Sequence, residues 1–497
     1  MQTAAPNPRC RDLFPALAVT YLAVPSLIFL LGWLRPAIGL PAALVVAGGA
    51  VWFWIYPSAA TRPALTQKNL LLVLSAAFLW TLLTGVGGVV PQSNDYVKHN
   101  LLLHDLASST WPVIYPHAGG GTYLCYALGY YLVPALGSRW LGADALPAIT
   151  FAWTFAGLFL FFWWAVTLTK SPGKTLAAII LFAPTGILWA LFKGHGLPGV
   201  VTPADLVPKL FNGGLQFTFD SFSRFNYQPQ HALIGWLGTA LLYDLLWERK
   251  NSRGTIFVLA LCGFWSPLSS VGLLLIPLAA VRRVRWQSYW EPVNLVAGGG
   301  LLVILGLYFQ GHLPLPDRGF IGTLLPGAEW ILYYALFLLL MFLPLLFLWL
   351  VERWDQTLGE WRPLFFGSLV VQLLLPLYKL GLYSDLRLQA GAPALLLLAL
   401  ATVRLIDSPK FSFTHPLSLL LAGGLLLGAL HPAAHLVQNL LAPPVDYSYE
   451  NITKSLGWHS LADLNNPQNY DTAAQYEGRV DSAAARWLLR PGAGLNP

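Results

Sequence analysis

Residues 93–117 read S-N-D-Y-V-K-H-N-L-L-L-H-D-L-A-S-S-T-W-P-V-I-Y-P-H and hold two Asp, one Lys and three His in a chain built mostly of apolar runs. In a helix beginning about Asn94, Asp95, Lys98 and His99 fall at i, i+3 and i+4 and share one face. Asp95 lies a few residues past an apolar segment that ends near Val90. A carboxylate fixed there can take the proton of an attacking hydroxyl as a general base. Lys98 and His99 can pair with it or reach a phosphate. The bland alternative is a solvated amphipathic connector whose Asp95–Lys98 pair contributes roughly 0.3 kcal/mol. His104 and Asp105 repeat the pattern and read more readily as the polar face of the same helix.

Two further clusters sit just before or between apolar runs. The first, S-F-S-R-F-N-Y-Q-P-Q-H-A-L-I-G-W over residues 221–236, offers Arg224, Gln228, Gln230 and His231, with Pro229 stiffening the start of a helix. A guanidinium contacts two phosphate oxygens at once, which suits Arg224 to an anionic group. The ordinary reading is a helix start with an arginine reaching to headgroups. Lys193 and His195, in F-K-G-H-G, are weaker candidates. The second cluster, Y-K-L-G-L-Y-S-D-L-R-L-Q-A-G-A-P-A over residues 378–394, places Lys379, Asp385 and Arg387 in a short turn between apolar walls. That is a candidate phosphate clamp, or else a neighbour pair with interfacial anchors.

The elements that must position these residues are membrane helices. The chain has 497 residues, of which 56% are hydrophobic and 10% charged, and its apolar runs repeat at about the 20 residues a span needs. The expected fold is all-α, a polytopic helical membrane protein of 11–13 transmembrane helices with interfacial helices in the first large outer loop. Spans are expected near 13–34, 37–56, 69–90, 145–168, 175–192, 231–247, 293–310, 329–350, 363–380, 389–406 and 416–434. Residues 122–137 fit an interfacial helix better than a span. Residues 254–281 are too long for one span and are interrupted at Trp265-Ser266-Pro267. Crossing once would put Arg282, Arg283 and Arg285 outside, against the positive-inside rule. A broken helix pair that enters and returns is therefore expected.

By the same rule the loops 91–144, 193–230, 311–328 and 381–388 face outside. Residues 1–434 form the transmembrane domain, and the polar tail 435–497 forms a small extracytoplasmic segment that buries little core by itself. The formal charge of +7 does not imply nucleic-acid binding, because the basic residues lie in short clusters between apolar runs. Cys10, Cys125 and Cys262 lie far apart and offer neither a metal spacing nor a disulfide framework. P-loop, dinucleotide-binding, H-E-x-x-H and G-x-S-x-G motifs are absent.

The long acidic first loop after a span, the stretch P-Q-H-A-L-I-G-W at residues 229–236 and the stretch D-L-R-L-Q-A-G-A-P-A-L at residues 385–395 resemble the GT-C superfamily of integral membrane glycosyltransferases. That superfamily includes the protein mannosyltransferases and the lipid A aminoarabinose transferase. The resemblance implies a polyprenyl-phosphate-linked sugar donor, a glycan, lipid or protein acceptor, and an acidic residue of the first loop as base, which is Asp95 here. Lys98, His99, Arg224, Gln230, His231, Lys379, Asp385 and Arg387 become the expected substrate-binding set. The chain departs from the commonest pattern in having two spans before the one that leads to the loop. It also lacks an Asp-Glu or Asp-Asp pair, so no cofactor is implied and a divalent metal is left open. The expected place is a bacterial inner membrane with the site facing outside. The rival expectation is a transporter or flippase of a lipid-linked or hydrophobic solute, which would need a polar path through spans that carry few ionisable groups.

Overall fold

The computed structural model describes residues 12–56, 65–116, 121–183, 220–314, 318–325, 327–338, 343–381, 384–441, 446–464 and 475–491. Lys193, His195, Asp317 and the N-terminal Arg9 and Arg11 lie outside the described residues.

The chain is mostly helical. Helices α1 (Phe14–Trp33), α2 (Pro36–Ile55) and α3 (Gln67–Leu83) lead to α4 (Tyr96–Ser108), α5 (Leu132–Leu141), α6 (Leu146–Thr167) and α7 (Pro172–Leu181). Next come α8 (Ser221–Tyr227), α9 (Pro229–Tyr243), α10 (Thr255–Trp265), α11 (Pro267–Leu273) and α12 (Leu275–Ala279). Then follow α13 (Gly300–Gln310), α14 (Ile321–Leu324), α15 (Glu329–Phe337), α16 (Leu343–Asp355) and α17 (Arg362–Leu374). The last three are α18 (Asp385–Ile406), α19 (Pro416–Leu441) and α20 (Tyr449–Leu456). Proline opens several of them, at Pro36, Pro172, Pro229 and Pro267, where its fixed φ suits a first turn and its missing N–H costs nothing.

Among the described residues, six helical stretches are long and apolar enough to cross a membrane by length and composition: 14–33, 36–55, 143–167, 293–310, 385–406 and 416–441. Helices α3, α7, α10 and the stretch 267–279 are apolar but shorter. The run at 69–90 is helical only to Leu83 and then unwinds at Gly85, Gly87 and Gly88, each with positive φ. The run at 363–380 leaves the helix at Leu374, beside Pro376, and its last residues form a strand. Residues 122–137 form a strand and the start of the ten-residue α5, which at about 15 Å is too short to span.

Two small sheets depart from the all-α expectation. Strand β1 (Ile114–Tyr115) pairs with β2 (Thr122–Leu124), and β3 (Arg318–Phe320) pairs with β4 (Tyr378–Leu380), both antiparallel. The other edge of β2 is taken by β5 (Glu477–Arg479), with Tyr123 opposite Gly478. Strands of two or three residues are too short to leave a readable alternation. The tail holding β5 is packed onto the rest of the chain. Leu461 N–H donates to Asp105 Oδ2 at 2.8 Å, Arg35 N–H to the Leu488 carbonyl at 3.0 Å, and Arg490 N–H to the Trp33 carbonyl at 2.9 Å. Helix α19 itself runs to Leu441, past the expected boundary at 434.

The stretch 254–281 folds back on itself. Ser266 is extended, ends α10 and caps α11 by accepting from Ser269 N–H. The two ends of the stretch meet again, since Ser252 Oγ donates to the Arg285 carbonyl at 3.2 Å.

Helix α18 is the most enclosed of the long apolar helices, and small residues bring its neighbours close. A Cβ at Gly272 of α11 would lie 2.1 Å from the Ala390 carbonyl oxygen, and one at Gly235 of α9 would lie 3.1 Å from Ala392 Cβ. Such contacts let helix backbones approach where lipid offers no hydrophobic drive to association. Gly272→Ala is expected to lower stability by about 2 kcal/mol, because two helices must part. Gly300→Ala, where an added Cβ meets nothing within 4 Å, is expected to leave stability unchanged or slightly raised. Thermal unfolding in detergent compares the two.

Candidate functional site

Asp95 is the N-cap residue of α4, and Lys98, one turn on, reaches back to it with Nζ 2.7 Å from Asp95 Oδ2. The ion pair foreseen as the bland reading therefore forms, but on a half-buried face. Burial lowers the Lys98 ammonium, yet Asp95, Tyr476 and Tyr126 together hold it well above its ordinary value. Asp95 lies within electrostatic range of Tyr126, Tyr131, Tyr227 and Tyr476. Several phenols thus stand within electrostatic range of this ion pair.

His99 is a structural tie. Its Nε2 is 2.9 Å from the Tyr227 carbonyl, which can only accept, so Nε2 carries the proton and Nδ1 accepts from the Tyr131 hydroxyl at 2.8 Å. Both nitrogens are used, and the ring joins α4 to α5 and to the end of α8. His104 stacks on Tyr449 of α20 with ring centroids 3.5 Å apart. Asp105 accepts from the Tyr115 hydroxyl at 2.9 Å as well as from Leu461 N–H. These two residues hold the tail against the loop.

Helix α8 starts at Asp220, whose side chain caps Ser223 N–H at 2.9 Å and pairs with His431 Nδ1 at 2.8 Å. That fixes Arg224 in the interior. Burial pulls the Arg224 guanidinium down to about 9, against the pull of Asp220, and Arg387 nearby pushes it further down. Two buried guanidiniums close enough to repel form a setting that an anion would relieve. At the start of α9, Gln230 Nε2 donates to the Tyr126 hydroxyl at 3.3 Å. His231 lies with Nε2 3.2 Å from the same hydroxyl and Nδ1 2.8 Å from Ser266 Oγ. Ser266 in turn lies 3.4 Å from Gln389 Oε1 on α18. The break between α10 and α11 therefore delivers a hydroxyl to the histidine.

Lys379 is buried on β4, and Asp385 and Arg387 stand in the first turn of α18. Helix α18 begins after Ser384, which adopts φ 60°. Gly381, at φ +82°, lies under the Asp385 carboxylate, where an added Cβ would meet Oδ2 at 2.0 Å. Arg387 Nη1 donates to the Tyr333 hydroxyl at 3.2 Å. Asp385 is within electrostatic range of Lys98, Asp95 and Lys379, and His231 is within range of Lys98, His99 and Arg224.

The residues singled out in three separate stretches of sequence thus meet at one end of the helices. Asp95, Lys98 and Asp385 share a centre, with Lys379 beside it, while Arg224 and Arg387 form a cationic pair near His231. Tyr126, Tyr476, Ser266 and Gln389 belong to the same cluster and were not foreseen as site residues. Ser266 was marked in the sequence only as a helix break, whereas Tyr476 is brought in by the tail strand, which no local pattern announces. Among the described residues no group of three or more His, Cys, Asp and Glu is placed to hold a metal ion. No protein-family model, curated protein or solved structure matches the chain.

Burial, and then Lys98, lower the His99 imidazole from 6.5 to about 4. Below pH 6.5 the unfolded chain takes up a proton that the native chain refuses, so this group's contribution to stability is lost as pH falls from 6.5 to 4. The loss is about 3 kcal/mol. Burial raises Asp105 from 3.8 to about 6, and its contribution runs the other way, growing as pH falls through that range. In His99→Gln the falling term is removed, so unfolding in detergent is expected to show stability rising from pH 6 to 4, against a flatter wild-type curve. Parallel curves for the two proteins refute the assignment.

Proposed function

We propose that the chain is a GT-C-type inverting glycosyltransferase that moves a sugar from a polyprenyl-phosphate carrier to an acceptor hydroxyl at the extracytoplasmic face of a bacterial inner membrane. The observation that carries this reading is the meeting of a carboxylate pair, Asp95 and Asp385, with Lys98, Lys379, Arg224 and Arg387 at one end of otherwise apolar helices. The chemistry needs a base for the acceptor and positive charge for the departing phosphate, side by side at a membrane face. A cleft bordered by lipid holds little water, which strengthens each of these interactions.

In the step envisaged, the acceptor oxygen attacks the anomeric carbon while Asp95 takes its proton. The bond from the anomeric carbon to the phosphate oxygen breaks, and the phosphate leaves with the electron pair. Asp95 Oδ2 is held by Lys98, and Oδ1 makes no hydrogen bond among the described residues, so one oxygen remains for the acceptor. Arg224 and Arg387 are the groups suited to the departing phosphate, with Lys379 and His231 beside them. Gln230 and Tyr126 would orient the sugar. On this reading α4 and α5 are the interfacial helices of the first outer loop, and the helices α3, α7, α9, α15–α16 and α17 join the six long ones, with the broken pair α10–α12, in a bundle of 11–13 spans.

Radiolabelled-sugar transfer in proteoliposomes tests the reading. Asp95→Asn is expected to slow transfer at least about 100-fold. Transfer at the wild-type rate would remove Asp95 as the base, and no transfer from any polyprenyl-phosphate sugar by the wild-type chain would remove the reading itself.

A further inference from the structure

The end of the bundle opposite the carboxylates carries a second polar site. Helix α9 starts at the Gln230–His231 pair and continues through a π-helical turn, Asp244–Glu248, to Arg249. The 18 residue steps from His231 to Arg249 rise about 27 Å, close to the thickness of a bilayer's hydrocarbon core. Helix α10 runs back from Thr255 to Ser266, which touches His231. The turn before α10 and the turn after α12 lie together, at the end of the bundle away from His231.

Between them is a pocket of about 620 Å³ lined by Arg249, Lys250, Arg253, Arg282, Arg283 and Arg285, with no carboxylate in its wall. Three of these cations are answered by acids outside it: Arg249 by Asp244 at 2.6 Å, Arg253 by Glu291 at 3.0 Å and Arg283 by Glu360 at 2.7 Å. Among the described residues Lys250, Arg282 and Arg285 form no ion pair.

The pocket is built before any ligand arrives. Asn294, fully buried, donates from Nδ2 to the carbonyls of Ser252 at 2.9 Å and Ser288 at 3.1 Å, and accepts from Ile256 N–H at 2.9 Å. Ser252 Oγ holds the Arg285 carbonyl, and the Arg283 guanidinium lies over the Trp247 ring. Lys250, at φ 50°, is the left-handed residue that ends the helix, and Asn251 N–H closes that end onto the Leu245 carbonyl at 2.9 Å. Charge that merely sets membrane orientation needs no such scaffold, because orientation depends on the number of Lys and Arg near span ends.

We infer that this pocket binds the phosphate-bearing headgroup of an anionic phospholipid from the leaflet at that end of the bundle. Around it Leu278, Val281, Trp286 and Trp290 are exposed, which places acyl chains and an aromatic belt beside the cations. A soluble phosphate would use the cations and leave that apolar margin without a partner. Basic pockets between membrane helices are suited to anionic headgroups, and a guanidinium fork matches two phosphate oxygens.

The test is thermal unfolding of the full-length chain, purified in neutral detergent and titrated with phosphatidylglycerol, phosphatidylcholine or inorganic phosphate. Phosphatidylglycerol is expected to raise the midpoint saturably, and the other two are not. In the double variant Arg282→Gln, Arg285→Gln the half-saturating phosphatidylglycerol concentration is expected to rise about thirty-fold, with the lipid-free midpoint unchanged. Equal saturation in wild type and variant overturns the proposal, and so does an equal rise with inorganic phosphate, which would make this a soluble-anion site. If the glutamine variant does not fold, Arg282→Lys with Arg285→Lys keeps charge but loses the fork. It is expected to bind several-fold more weakly, and wild-type binding by it overturns the proposal.

Discussion

Close helix approach around α18 is the constraint on which the site depends. Gly272 on α11 and Gly235 on α9 leave room for Ala390 and Ala392, so three helix backbones run nearly in contact over the turns next to the site. Those contacts set the relative height of the α18 N-terminus, the α9 N-terminus and the break at Ser266. Asp385, His231 and Ser266 then arrive at one level. A Cβ at Gly272 would push α11 and α18 apart, and with them groups whose hydrogen bonds tolerate only a few tenths of an ångström, whereas one at Gly235 asks only a small shift of Ala392.

Packing alone would leave costly charges in an apolar interior, and the arrangement of partners answers that cost. Lys98 stands by Asp95 and near Asp385, and Asp220 is held by His431 and in turn lies near Arg224. A buried ion of either sign is tolerable when others answer it and hydrogen bonds complete its shell. The Arg224 and Arg387 pair brings like charges together beside His231, a setting that an anion would relieve.

The C-terminal tail closes this end of the molecule. Strand β5 extends the sheet of the first loop, Tyr476 joins the phenols around Lys98, and Asp105 is the anchor for the backbone at Leu461. The tail is too small to bury a core of its own, yet against α4 and β2 it has one ready. Among the described residues its exposed positions are mostly polar, which is also why the tail reads as a loose appendage.

The amino-acid sequence by itself determined the helical character, the apolar stretches of membrane-crossing length, the break at Ser266-Pro267 and the three clusters that carry Asp95, His231 and Asp385. Hydropathy and proline act within a few residues, so these features need no partner to be legible. Only the tertiary structure decided that the clusters meet, that His99 is a tie with both nitrogens engaged, and that Tyr476 belongs beside Lys98. It also decided that Arg249 and Arg285 share a pocket. Each of those depends on contacts between residues tens to hundreds of positions apart, and no local periodicity records which helix faces which.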